Sequence, residues 1–465
     1  MSHTLIIGMG KSGFSVARYL TRHGVSFRAA DSRGDFALLK AWQTEFPSCV
    51  CTLGPLQPEL LAGVREVVVS PGVPLTGAWY EAALAQGIAV RGDIDLALHA
   101  AKTEATPTVL ITGANGKSTV TALVGALVDA LGLRGGVGGN FGTPALDLLT
   151  QPTDVLVLEV SSFQIESTHF EDLNPTAALV LNISQDHLDR HGTIENYAAI
   201  KAQILHRARV AVINRDDTRV AAMAGQVQGQ IVTFGQQAPQ RSQDFGLRQA
   251  ADGIWLAQGD ALIFPVKELG IKGAHNQLNA LAALALLQGL LPGIDLTDAR
   301  IAAVLSGFSG LPHRAQLVGS VEGVRFVDDS KATNVGAAVA AILGMDGPLV
   351  LIAGGQGKGQ DFSPLADALR DKCVGLVLIG EDRAAIGTAV TTALGKTVPV
   401  RRAERMDQAV AEAAHLAPAG ATVLLAPACA SLDMFKSYVD RGQQFAAAVA
   451  ALAIRGGDVP PGALT

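Results

Sequence analysis

The chain has 465 residues, a net charge of −6, 17% charged and 49% hydrophobic residues and 51 glycines. It has no basic footprint for a nucleic-acid partner, and no uncharged apolar run reaches the roughly 18–20 residues of a membrane span. The composition suits a soluble α/β enzyme of about three domains, and Cys49, Cys51, Cys373 and Cys429 lack zinc-site spacing and read as reduced thiols of a cytoplasmic protein without a leader.

Leu5–Ile7 reads as a strand running into Gly8-Met9-Gly10-Lys11-Ser12-Gly13, a full G-x-G-x-x-G, and the helix after it closes at Gly24. A second strand, Val25–Ala30, ends at Asp31, about 20 residues on, where a dinucleotide fingerprint places an acid for a ribose hydroxyl. A strand over Glu66–Val69 turns at Ser70-Pro71-Gly72, and this Rossmann-like unit spans residues 1–94. The fingerprint alone does not say which ligand is held.

The central domain, 95–307, is organised around Thr108–Thr119, TVLITGANGKST. An apolar strand stops at Gly113-Ala114-Asn115-Gly116 and re-emerges as a helix near Lys117. Val120, Leu123, Val124, Leu127, Val128 and Leu131 then form one apolar stripe. Strand, small-residue loop and helix are the setting of a P-loop: backbone N–H groups close on an anion, Lys117 meets the outer phosphates, and Ser118 or Thr119 offers a hydroxyl to Mg²⁺. The spacing is two residues shorter than the usual G-x-x-x-x-G-K-[ST].

Leu133–Thr143 reads as a glycine-dense loop with Asn140 as its one amide. Strands over Val155–Val160, Ala177–Leu181 and Val210–Ile213 come next, with Glu159 near the carboxyl end of the first and His187 after the second. Ligands of open parallel sheets sit beyond those ends, which gathers the P-loop, Glu159 and His187 at one edge. Glu159 suits a Mg²⁺ ligand or a capping carboxylate. The His187–His191 spacing lacks the other parts of a zinc site, and Lys201 alone reads as a solvated helix lysine. Short alternating runs between Ile231 and Val266 suggest an antiparallel patch before a buried helix that carries Asn276 and Asn279.

Gly307–Gly310 reads as a hinge into a third α/β unit, 308–465. There Val324–Val327 leads into Asp328–Asn334, Leu349–Ala353 into Gly354–Gly359, and Val423–Ala426 into Pro427–Ser431. Gly354–Gly359 has no Ser or Thr after Lys358, so it suits a small anion or carboxylate, or is a plain turn. The expected fold is three α/β domains in series: Rossmann-like, a central P-loop domain with a parallel sheet and a small antiparallel patch, and Rossmann-like again.

Thr112–Thr119 resembles the shortened P-loop of the Mur ligases and the related folylpolyglutamate synthetases. Glu159-Val160-Ser161-Ser162-Phe163-Gln164, Asp186-His187-Leu188-Asp189-Arg190, His275-Asn276-xx-Asn279, Gly310-Leu311-Pro312-His313-Arg314, Asp329–Asn334 and Ser431-Leu432-Asp433-x-Phe435-Lys436 are similar to that family in order along the chain. They are most like the members that add D-glutamate to a UDP-linked muramoyl-L-alanine in peptidoglycan synthesis. The resemblance implies that Ser12, Asp31, Ser32, Arg33, Ser70 and Gly72 line a UDP pocket, with Asn140 on the muramoyl part. It implies an ATP site of Gly113, Ala114, Asn115, Gly116, Lys117, Ser118, Thr119, Asn276, Asn279, Arg314, Asp329 and Lys331. Ser118, Glu159, His187 and Lys201, the last as a carbamate, would hold Mg²⁺; Thr333, Lys358, Ser431, Leu432 and Tyr438 would take D-glutamate. Lys117, His187, Lys201 and Lys331 are the implied catalytic residues. Tyr438 stands where the family leads one to expect Phe, and Ser32 where Thr is common.

The chemistry this implies is an acyl phosphate made from ATP and attacked by an amine, with His187 or phosphate as base and domain closure excluding water. The expected partners are small molecules only, and the expected state is a monomer. An NAD-dependent oxidoreductase would account for Gly8–Gly13 and Asp31 but not for the P-loop or Asp329–Asn334. A non-enzymatic ATP-binding regulator would not need so many charged loops at strand ends, and another Mur-type or folylpolyglutamate-type ligase would keep the reaction and change the substrates.

Overall fold

The computed structural model describes residues 3–395 and 398–456. The outer ends of the expected first and third domains, 1–2 and 457–465, lie outside the described residues. Among the described residues three sheets form, of five, nine and six strands. The chain separates into two units. One holds the chain up to Ile183, Ala198–Leu269 and Leu278–Gly307; the other holds Ser184–Tyr197, Gly270–Gln277 and the chain from Phe308.

In the first unit the N-terminal sheet is parallel, in the order Cys51–Leu53, Phe27–Asp31, His3–Ile7, Val64–Val69, Ala89–Gly92. Chain order reverses beside His3–Ile7, so the glycine turn at Gly8 and the turn at Ser70 meet at the switch point where such sheets bind ligands. Cys51–Leu53 and Ala89–Gly92 are too short and too polar to stand out in the sequence.

The nine-stranded sheet runs Ala261–Pro265, Gly253–Gln258, Phe245–Ala250, Gln230–Phe234, Val210–Asn214, Ala177–Val180, Thr108–Thr112, Val155–Glu159, Gly135–Gly139. The P-loop strand Thr108–Thr112 is flanked by parallel partners on both sides, and all five of its residues are buried. The antiparallel patch continues this sheet and is no separate layer. Helix Ala274–Leu290 is buried at every position from Asn279 to Leu287, as an all-round apolar helix must be.

One expectation is corrected. Gly135–Gly139, read as loop, is the edge strand paired to Val155–Glu159. Its glycines are what let it fit: a Cβ on Gly138 would lie 2.1 Å from Thr143 O, and one on Gly139 2.4 Å from Glu159 O. Glycine content alone reads as loop, whereas here it marks close backbone approach.

The N-terminal and central sheets are stitched into one unit by the helix Asp93–Thr103. Gly92 N–H donates to Ser167 O at 2.7 Å, and His169 N–H donates to the buried Asp95 carboxylate at 2.8 Å. Gln164 Nε2 reaches both oxygens of the buried Asp93 at 3.3 and 3.4 Å.

In the second unit, Gln316–Val321 pairs antiparallel with Val324–Asp328, and Thr422–Leu425, Leu349–Gly354, Cys373–Ile379 and Val400–Arg402 continue the sheet in parallel. Leu349, Leu351 and Ala353 enter one core cluster and Val350 and Ile352 another. Both faces of the sheet are therefore covered, which explains the unbroken apolar run in the sequence.

Candidate active site

The P-loop turn is set by its glycines. Gly116 caps the helix Lys117–Ala130 with φ +83, and an added Cβ would meet Leu181 at 2.6 Å and Asn279 Oδ1 at 2.7 Å. Asn279 and the turn are thus in contact. Ala114 N–H donates to Asn182 O at 2.9 Å, and Asn115 exchanges a pair of hydrogen bonds with the Asn182 side chain at 2.8 and 3.0 Å. With those two N–H groups committed, an anion is met at the helix N-terminus, where backbone donors and the helix dipole favour it. The Lys117 ammonium folds back to the carbonyls of Gly113 and Ala114 at 2.9 and 2.8 Å.

Glu159 ends its strand beside that helix. Its Oε2 accepts from Ser118 Oγ at 2.5 Å and its Oε1 from Asn140 Nδ2 at 2.7 Å. Ser118, Thr119 and Glu159 are all buried. Lys201 is 1% exposed, so reading it as a solvated lysine is wrong; its Nζ donates to Thr112 Oγ1 at 3.0 Å, and that hydroxyl donates to Val160 O at 2.7 Å. A buried ammonium costs several kcal/mol unless its surroundings offset it.

These donors fit Mg²⁺. It takes hard oxygens in few protein contacts, usually one or two carboxylates plus substrate phosphates, and here one buried carboxylate touches one serine hydroxyl at the P-loop. Among the described residues no three His, Cys, Asp or Glu side chains converge.

At the N-terminal switch point the Asp31 carboxylate is 2% exposed. It accepts from Met9 N–H at 2.9 Å, Arg33 N–H at 3.1 Å, and Arg33 Nε and Nη2 at 2.7 Å each. The Arg33 side chain, leading the other hydrogen bonds, holds the Asp31 acid down at about 2. The fingerprint reading, an acid open to a ribose hydroxyl, is therefore corrected: the carboxylate is filled by the chain's own donors. What it presents is Arg33, exposed and lying over the Phe36 ring at 4.4 Å. Ser70 Oγ donates to Gly8 O at 2.8 Å, while Ser32 and Gly72 are exposed beside them. The Ser12 hydroxyl bonds the buried Asp93.

In the second unit His187 takes φ +54 and begins the short helix Leu188–His191. Its N–H donates to Asp186 Oδ1 at 3.0 Å, and Asp186 Oδ2 accepts from Asn334 Nδ2 at 3.2 Å. Asn334 in turn caps the helix Val335–Leu343. Asp186, His187 and the end of the Asp329–Asn334 motif are therefore one hydrogen-bonded group. His191 is buried, its ring 5.5 Å from that of Tyr197. Asn276 Nδ2 donates to Lys272 O.

Burial pushes the half-buried Asp329 acid up to about 7, with Arg314 and the Ala315 N–H pulling it the other way and Asp328 adding to the rise. Thr333 N–H donates to Lys331 O at 2.8 Å, closing a tight turn. The Lys331 ammonium lies 4.2 Å from the centre of the Tyr438 ring. Lys358 is exposed with φ +53, Ser431 is buried, and Leu432 is 69% exposed.

Three family descriptions match in series: the MurD-like N-terminal domain over residues 2–92, the Mur ligase middle domain over 111–287, and the Mur ligase glutamate ligase domain over 313–429. A UDP-N-acetylmuramoylalanine--D-glutamate ligase of Methylobacillus flagellatus is 45% identical over 445 residues, 96% of each chain. One from Nitrosomonas europaea is 44% identical over 458 residues, covering 96% of this chain and 95% of that protein. The chain belongs to the Mur ligase family. The crystal structure of UDP-N-acetylmuramate-alanine ligase MurC from Thermotoga maritima shares the fold, with a TM-score of 0.60 at 17% identity over 97% of this chain and 100% of that one.

Several residues of this Mur ligase that hold the site were not assigned a role from sequence. Asn182 fixes the P-loop turn, and its one signal is its place at a strand end. Thr112 carries the contact to Lys201 from inside the P-loop motif itself. Asp382 accepts the Gly357 N–H at 2.7 Å and so holds the Lys358 loop. Arg441, fully buried and with its guanidinium pulled down to about 10 by burial, braces Ser330. No local pattern marks either of the last two. No helix among the described residues is long and apolar enough to cross a membrane.

Proposed function

We propose that this chain is an ATP-dependent ligase joining D-glutamate to UDP-N-acetylmuramoyl-L-alanine, with ADP and phosphate as the other products, in the cytoplasm. The observation that carries the reading is the buried Ser118–Glu159 pair at the P-loop helix, with the exposed Asn140 bonded to Glu159, in a chain similar over 96% of its length to a D-glutamate ligase.

The UDP part of the substrate goes to the N-terminal switch point, where Arg33, held by Asp31 and stacked on Phe36, offers a fixed planar cation. Asn140, on Glu159, faces the muramoyl end. An L-alanyl carboxylate oxygen attacks the γ-phosphorus of ATP, the bond to the β-phosphate oxygen breaks, and ADP leaves. Lys117 offsets the charge of a carboxylate approaching a triphosphate. Mg²⁺, held by Ser118, Glu159, His187 and a carbamate on Lys201, would supply further charge neutralisation on the phosphates. Asn276, Asn279, Arg314, Asp329 and Lys331 are assigned to the nucleotide; Thr333, Lys358, Ser431, Leu432 and Tyr438 are assigned to D-glutamate. The neutral amine attacks the acyl carbon, the C–O bond to phosphate breaks, and the amine proton leaves to His187 or the departing phosphate.

The test is phosphate release from ATP and UDP-N-acetylmuramoyl-L-alanine with no amino acid, D-glutamate or L-glutamate. Release that needs D-glutamate, with an amide product of the matching mass, is the expected result. Release with L-glutamate would overturn the acceptor, and release with none of them would overturn the reaction.

A further inference from the structure

Three neighbouring parallel strands of the second unit, Thr422–Leu425, Leu349–Gly354 and Cys373–Ile379, run into loops at one edge of their sheet. The loop after Leu349–Gly354 carries Lys358, and the loop after Thr422–Leu425 carries Ser431. Gln356 N–H donates to Ala430 O at 3.1 Å and Ala430 N–H to Gln356 O at 2.9 Å. That pair joins the bases of the two loops, one residue before Ser431 and two before Lys358. The ends beyond it are held through the third loop, Gly380–Asp382. Asp382 N–H donates to Gly355 O at 3.0 Å, and Asp382 Oδ2 accepts from Gly357 N–H at 2.7 Å.

Asp433 closes the ring. Its Oδ2 accepts from Glu381 N–H at 2.8 Å, which ties the Ser431 loop to the loop that holds Lys358. Gly380, with φ +71, lets the three loops come this close: a Cβ there would lie 2.5 Å from Asp433 Oδ2 and 2.6 Å from Gly355 Cα. Asp433 stands two residues after Ser431, in a turn closed by Phe435 N–H on Ser431 O at 2.8 Å. Its other oxygen, Oδ1, is buried and has no hydrogen-bond partner among the described residues, an unfavourable arrangement that packing alone gives no reason for. We propose that Asp433 is a positioning residue for the amino-acid acceptor: through Glu381 and Asp382 it sets the exposed Lys358 cation relative to Ser431. This rests on the assignment of Lys358 and Ser431 to D-glutamate and adds the acid that couples them. Its contribution falls on acceptor binding and not on phosphoryl transfer. An asparagine would serve, because the link needs one acceptor oxygen and not a charge.

The experiment uses the full-length enzyme in the phosphate-release assay, with D-glutamate varied at saturating ATP and UDP-N-acetylmuramoyl-L-alanine. Asp433→Ala is expected to raise the KM for D-glutamate about tenfold, with kcat within about threefold and the KM for ATP within about twofold. Asp433→Asn should recover most of the loss. In a Lys358→Ala background Asp433→Ala should raise that KM by less than about threefold, since the anchor it sets is already gone. Should Asp433→Ala not fold, Asp382→Ala cuts the same link one loop further on and should give the same KM shift. An unchanged KM for D-glutamate, a loss shared equally by kcat and the KM for ATP, an Asn variant as poor as the Ala variant, or a full tenfold penalty in the Lys358→Ala background would each overturn the positioning role. Lys358→Ala with an unchanged KM for D-glutamate would overturn the acceptor assignment and the proposal with it, a result separable from a failure at Asp433 alone.

Discussion

Two glycine-lysine loops of this chain come after buried central strands and look alike in sequence: Gly113–Lys117 and Gly354–Gly359. Their backbones are built differently. The first opens straight into a fourteen-residue helix whose first turn holds Lys117, Ser118 and Thr119. The second has no helix until Ser363, and its Lys358 sits in a left-handed conformation. The donors differ too. At the second loop Asp382 takes the Gly357 N–H and Ala430 O takes the Gln356 N–H, so the backbone is consumed by its own scaffold. A helix N-terminus can gather several N–H groups on one phosphate chain, whereas this braced loop offers one exposed cation, Lys358. The glycines permit both shapes, and the residues after the lysine decide between them.

The largest effect should come from breaking the first loop. Lys117→Ala is expected to cut kcat for phosphate release about a thousandfold, as loss of a charge stabiliser at the reacting phosphate does. Binding of UDP-N-acetylmuramoyl-L-alanine, measured by calorimetry, should survive, because its assigned contacts lie at Asp31–Arg33 and Ser70. Loss of that binding would show that the two sites are not separate. Lys201→Ala comes next, with a fall of about a hundredfold. Acetate added to that variant should restore part of the rate if a carboxylate-like group on Lys201 is what the site uses, and a flat acetate titration would leave only the buried packing. Lys358→Ala should be milder and of another kind: the KM for D-glutamate rises about tenfold while kcat stays within about threefold. A matching collapse of kcat would put Lys358 on the triphosphate and erase the distinction between the loops.

The legibility of each feature depends on the physics of its signal. The P-loop strand and helix were readable because periodic burial and a small-residue turn are local patterns. Glu159 was readable as a carboxylate near a strand end and Asn140 as the one amide of a glycine-dense stretch, but that Glu159 accepts from both Ser118 and Asn140 was not. Lys201 was misread from the residues alone: nothing in a helix lysine's neighbours in sequence says that its ammonium ends at Thr112, 89 positions earlier. The glycine strand Gly135–Gly139 was hidden for the opposite reason, since its pattern fits a loop better than the strand it makes. Arg441 and Asp382 act on turns far away along the chain, and only tertiary structure brings them there. The resemblance to Mur ligases supplied site residues that periodicity and spacing could not.

The smallest effect expected is also the one with a sign to check, at Asp329. Its acid stands at about 7, against about 3.9 in an unfolded chain. A raised carboxyl contributes stability that is complete below the unfolded value and is lost as pH rises to the folded value, because the unfolded state sheds its proton first. Above about pH 7 both states are ionised and the difference stops changing. Asp329→Asn removes this titration, so its melting temperature relative to the native chain should climb between about pH 4 and 7 and stay level above that. The ATP dependence should move with it: the native KM for ATP changes across pH 6–8 as Asp329 ionises beside Arg314, and the Asn variant loses that component. A melting difference that is flat from pH 4 to 8 would mean that Arg314 already holds Asp329 ionised. The carboxylate would then be one half of a permanent ion pair instead of a group that charges within the working range of the enzyme.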